Sequence, residues 1–83
     1  MALTGAQQLQ HDATEWRMYQ RITQDDAAIA NMWQPPAKLL VDYRKAKRCY
    51  VLFHLYRKAD CSSELMKVQT DLGDVETART QTR

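Results

Sequence analysis

The chain has 83 residues, 45% of them hydrophobic and 27% charged, with a net charge of +2. A chain this short buries only roughly 60% of its unfolded surface, so it is one domain, or one subunit of something larger, and is marginal without help. The charge is unevenly placed: residues 1–33 sum to −2, residues 38–58 carry seven cations against the single acid Asp42, and residues 60–83 sum to −2.

The middle is therefore a basic rod between mildly acidic arms. Either the arms fold back and neutralise it, or it is a face for nucleic acid, anionic lipid or an acidic protein. No run approaches the roughly 18 to 20 apolar residues of a membrane span. The densest, Cys49 to Tyr56, is eight long and contains His54. The N-terminus has neither the basic start and apolar core of a secretory signal nor an Arg-rich transit pattern. Two cysteines, Cys49 and Cys61, make no disulfide framework and read as reduced thiols. That points to an intracellular, reducing compartment, cytoplasmic by default with an organelle left open.

In chain order, Thr4 with Gln7 three residues later has the form of a capping box. From Ala6 to Ile22 the residues Leu9, Ala13, Trp16, Tyr19 and Ile22 recur at helical spacing and predict one apolar stripe. Thr23 followed by Asp26 is a second capping signature, so a short helix from Asp26 to Trp33 is expected. One long helix over 5–33 is the alternative. Trp16 and Trp33 are core candidates. Gln34-Pro35-Pro36 is the clearest boundary, because each Pro restricts the residue before it and Pro36 suits a helix start.

The central helix is predicted over about 36–59. Leu39, Tyr43, Ala46, Tyr50 and Phe53 form its inner stripe, and Arg44, Lys45, Lys47 and Arg48 lie away from it as a basic face. Val51, Leu52, Leu55 and Tyr56 make the second half apolar on its other sides too. A short chain has trouble covering such a helix alone, so these four are the candidate partner-binding residues. Arg57 and Lys58 suit the last turn. Asp60 or Ser62 can cap the next helix, in which Leu65, Val68, Leu72 and Val75 form a narrow seam. Gly73 interrupts it or ends it, and residues 76–83 lack an apolar stripe and read as a disordered tail.

Catalytic and metal constellations are missing from the pattern. Cys49 and His54 fall on different helix faces, and there is no zinc-type Cys or His spacing. Asp25 and Asp26 are adjacent, and Gly5 and Gly73 make no phosphate loop. No catalytic residue, metal ligand or cofactor is expected. The run ITQDDAAIANMWQPPAKLLVDYRKAKR resembles a helix-turn-helix, with its turn at Met32 to Gln34 and a basic helix that would read DNA. It departs from that pattern at Met32, where Gly is usual, and at Pro35-Pro36. Its helix also opens with Ala37, Lys38, Leu39 and Leu40, which are poor base readers. The tripeptide Leu55-Tyr56-Arg57, after Val51-Leu52, is similar to the signature of mitochondrial LYR-motif proteins, which are small helical accessory and assembly subunits. In that family helices follow the motif, whereas 26 residues follow it here.

The expectation is a single all-α domain over residues 1–83, a small bundle or hairpin of three or four helices around the central one. Its function is non-enzymatic: an accessory subunit, adaptor or inhibitor that binds another protein chain or a second copy of itself. The alternative is a DNA- or RNA-binding regulator.

Overall fold

Thr4 opens the first helix as its side chain suggests. Its Oγ1 accepts from the Gln7 N–H at 3.2 Å, and the Gln7 Oε1 accepts from the Thr4 N–H at 3.0 Å, which closes the capping box. In the structure, a computed structural model that describes residues 4–56 and 60–81, α1 spans Gly5–Ala30, α2 Ala37–Tyr56 and α3 Ser62–Gln81. The described residues form an all-helical fold with three helices and no strand.

The restart expected at Thr23 does not occur, and α1 runs through it as one helix of 26 residues. The Thr23 hydroxyl donates back to the Tyr19 carbonyl at 2.8 Å. That bond occupies a side chain that would otherwise compete with the helix for its own backbone. The chain then turns over residues 31–36. The Pro36 carbonyl accepts the first α2 bond from the Leu40 N–H at 3.2 Å. The helix expected over 36–59 is described over Ala37–Tyr56, 20 residues, so it is central in packing while α1 is longer. Residues 57–59, including the cations Arg57 and Lys58, lie outside the described residues. At the start of α3 the Asp60 carboxylate accepts from the Ser62 N–H at 3.3 Å. α3 continues through Gly73 to Gln81, past the expected stop and through most of the expected tail. Residues 82 and 83 of that tail lie outside the described residues.

The three helices lie side by side in a body of 54 × 18 × 18 Å. Tyr43 meets Asp26, Tyr50 meets Tyr19, and His54 meets Glu15, so α1 and α2 run antiparallel along most of their length. Lys38 meets Asp71, and Cys49 meets Cys61, so α3 runs back along α2. α2 is thus packed against both neighbours. Its stripe forms the core as expected: Leu39 and Ala46 are fully buried, Tyr43 and Phe53 nearly so, and Tyr50 is half-buried. One cluster joins Ile29, Leu39, Tyr43, Ala46 and Val68, with Leu65, Leu72 and Val75 of the α3 seam packed against it. A second joins Met18, Phe53 and Cys61.

α1 does not bury its expected stripe. Leu9, Trp16 and Tyr19 are exposed, while Met18, Asp25 and Ile29 face inward. Trp33 is 93% exposed in the turn. The periodicity was real, but of this stripe Ile22 packs against the core while Leu9, Trp16 and Tyr19 stay exposed.

Cys49 and Cys61 form a disulfide, with Cα atoms 6.0 Å apart. This corrects the reading of the pair as reduced thiols. The end of α2 and the turn after it return the chain on itself. That fold-back brings together two cysteines twelve positions apart in sequence, at the usual disulfide separation. The bond removes the thiol argument for a reducing compartment.

Candidate functional site

The outward side of α2 carries two kinds of side chain in succession. Arg44, Lys45, Lys47 and Arg48 of the N-terminal half are all exposed. Val51, Leu52, Leu55 and Tyr56 follow at 50%, 38%, 61% and 65% exposure. Arg44, Arg48, Val51 and Leu55 succeed one another at intervals of four, three and four, so they share one helical stripe. All eight residues singled out by the sequence are therefore on the surface of one helix, basic first and apolar after.

The acidic arms do fold back, but they neutralise only the start of the rod. Lys38 Nζ donates to Asp71 Oδ1 at 2.7 Å and to Asp42 Oδ2 at 2.9 Å. The bonds to Asp71 and then Asp42 push the Lys38 ammonium above its ordinary range. The hydrogen bond shared with Asp71, and then the one from Lys38, hold the Asp42 carboxyl below its ordinary value. Asp26 is taken by the Tyr43 hydroxyl, which donates to it at 2.9 Å. Burial, then that bond, pushes the Tyr43 phenol up to about 12. Among the described residues, Arg44, Lys45, Lys47 and Arg48 enter no salt bridge, and Lys47 Nζ lies 5.5 Å from the Tyr43 ring centroid.

The apolar surface extends beyond the residues read from the sequence. Trp16 stacks on Tyr19 with ring centroids 5.7 Å apart, and Tyr19 meets Tyr50 at 6.5 Å. With Asp12 and Glu15 these rings line an open cleft of about 400 Å³ between α1 and α2. Their exposure was missed because an apolar stripe is assigned to the core by default. The spacing carried no signal of it, because periodicity gives the side of a helix and not whether another helix covers that side.

His54 is largely exposed, and its Nδ1 contacts Glu15 Oε1. It does not meet Cys49, whose sulfur is committed to the disulfide. A second cluster that the sequence did not suggest is His11, Asp12 and Glu15, whose ligand atoms lie within 4.8 Å of one another. The legible signal was the interval of four between His11 and Glu15.

The helix-turn-helix resemblance meets a different geometry. Its first segment is the end of a continuous 26-residue helix, and its second runs back antiparallel. DNA-binding motifs cross their two helices at roughly 90–120°. Arg57 of the LYR-like tripeptide lies outside the described residues. No helix of the described residues is long and apolar enough to cross a membrane.

Fold and surface together define a three-helix antiparallel bundle with one disulfide and a basic-to-apolar outer face. No family model matches the chain, and no curated protein or solved structure matches it either.

Proposed function

We propose that this chain is a non-enzymatic protein-binding module, an accessory subunit, adaptor or inhibitor, that docks another protein on the outward side of α2. The observation that carries the reading is the simultaneous exposure of Val51, Leu52, Leu55 and Tyr56 on one side of the helix. Exposed aliphatics scattered singly need no explanation, but four exposed large apolar side chains within six residues of one helix favour an interaction surface. The aromatics, Trp16, Tyr19 and Tyr56, are of the kind that dominate binding energy at interfaces. Arg44 and Arg48 extend the same stripe, with Lys45 and Lys47 exposed to either side of it, and they favour a partner whose matching surface is acidic. They would steer encounter more than they add affinity.

The unanswered charge of those four residues also favours a second reading, a DNA- or RNA-binding regulator. In that case Lys45→Ala and Arg48→Ala each reduce the salt slope of binding by about one unit.

The test of the first reading separates docking from folding. Leu55→Asp and Tyr56→Asp should leave stability within about 0.5 kcal/mol of the parent, as surface substitutions do. In extracts of the producing cell, the tagged parent should elute from gel filtration in a complex, and Leu55→Asp should elute at the size of the free chain. A parent that elutes as the free chain, or a variant that stays in the complex, contradicts the proposal.

A further inference from the structure

We propose that His11, Asp12 and Glu15, joined by His54 from the facing helix, bind a divalent transition-metal ion of the zinc class between the first half of α1 and the last turns of α2. Asp12 and Glu15 also line the cleft beside Trp16 and Tyr19, but the site uses none of Val51, Leu52, Leu55 or Tyr56.

His11 and Glu15 stand four residues apart and project from one side of α1. Asp12 is beside them, and the ligand atoms of His11, Asp12 and Glu15 lie within 4.8 Å of one another. The fourth group comes from the other helix, where His54 Nδ1 contacts Glu15 Oε1. Gln8 Nε2 donates to Asp12 Oδ1 at 2.8 Å, the kind of outer contact that orients a ligating carboxylate.

The observation that points to a ligand is the state of the His11 ring. It lies flat against Phe53, with centroids 4.5 Å apart and planes 7° from parallel. Both of its ring nitrogens are buried and neither has a hydrogen-bond partner. The nearest carboxylate, Asp12 Oδ1, is 3.6 Å from Nδ1, too far for a hydrogen bond. A buried imidazole left in this condition is costly, and each such group in a folded protein calls for an explanation. A metal bond to one nitrogen supplies it.

The donor set selects the ion. Two imidazoles and one or two carboxylates suit zinc and its neighbours in tetrahedral geometry. Calcium requires six to eight oxygens, and magnesium an octahedron of them, which these residues do not offer. Closing the set onto one ion requires ligand separations of roughly 3.3 Å, the edge of a tetrahedron with bonds of about 2.0–2.1 Å. Asp12 and His54 are exposed side chains and can rotate to reach it. The bound ion would tie α1 to α2, as the disulfide ties the end of α2 to the start of α3.

The test uses the full chain without an affinity tag, stripped of metal by chelator and titrated with Co2+ as the spectroscopic probe. One equivalent should bind with the strong visible absorption of a tetrahedral ion, and Zn2+ should displace it and raise Tm. Binding should weaken on acidification, because protons compete with the metal for its ligands. Removing His11 would open a hole beside Phe53, so the deciding variants are His54→Ala and Glu15→Gln, with folding checked by circular dichroism. Each should weaken Co2+ by about tenfold or more, while Asp74→Asn, elsewhere on the surface, should leave it unchanged. No Co2+ bound at millimolar concentration, or binding that His54→Ala and Glu15→Gln leave intact, overturns the proposal.

Discussion

Lys38 on α2 donates to Asp71 on α3 at 2.7 Å, and with this bond the acidic arm of the chain answers one cation of the basic helix and stops. Arg44, Lys45, Lys47 and Arg48 are left exposed and enter no salt bridge among the described residues. The division between a neutralised start and an unanswered middle is what turns a basic helix into a candidate docking face.

The same contact predicts sensitivity to acid. Asp42, which shares the site, has its pKa lowered in the folded chain from 3.8. Its contribution is therefore fully present above about pH 4 and is lost as pH falls through the lower, folded value. Lys38→Met, which leaves Asp42 and Asp71 without their shared cation, should destabilise the protein at neutral pH. The difference from the parent should shrink toward pH 2. Urea melts at a series of pH values check this, and a difference independent of pH would count against it.

Asp25 has the opposite sign. It is nearly fully buried, and desolvation raises its pKa above 3.8, against the pull of Arg21. Its folded form holds the proton more tightly than the unfolded chain, so its ionisation works against folding once the pH exceeds its folded value. Asp25→Asn should therefore raise stability at pH 7, by an amount on the order of 1 kcal/mol for relieving a buried, imperfectly partnered group. The gain should disappear near pH 3. A loss at pH 7 would show that the charge is structurally required.

Reduction of the Cys49–Cys61 bond should cost about 2–3 kcal/mol, the loop-closure value for a loop of this size. Chemical denaturation with and without reductant measures it. An unchanged midpoint would show that the bond adds nothing to the stability of the fold.

Gly73 lies in the middle of α3, and nothing approaches within 4 Å of where its Cβ would be. Gly73→Ala should stabilise the protein by about 1 kcal/mol, the usual helix-interior difference. For a domain of this size that is an increase of roughly 4–8 °C in Tm. A lower Tm would mean that the helix end expected at Gly73 is real.

Much of the architecture is local and could be read along the chain. The Thr4–Gln7 box, the Pro35-Pro36 boundary, the Leu39–Phe53 stripe and the Leu65–Val75 seam depend on spacings of a few residues, and all are present. The features that were not legible depend on which sides of the helices meet. Helical periodicity shows that Trp16 and Tyr19 share a side of α1 with Leu9, but not whether that side is covered. Here α1 turns Met18 and Asp25 inward instead. The Lys38–Asp71 bond joins residues 33 positions apart, and the His54–Glu15 contact joins residues 39 apart. Neither pairing has a local signature. Cysteine count alone suggested free thiols, because the fold-back that pairs Cys49 with Cys61 is a tertiary feature. The exposure of Val51, Leu52, Leu55 and Tyr56 was legible because they lie outside the inner stripe of α2.

The most direct measurement is site-specific photo-crosslinking in the producing cell, with a benzophenone side chain placed at Leu55 or, as a control, at the exposed Thr70 on α3. Docking on the outer side of α2 predicts a discrete crosslinked species from position 55, either to one partner protein or to a second copy. It should be lost when Tyr56→Asp is added and be absent from position 70. No protein crosslink at position 55, or the same products from both positions, would contradict the proposed function.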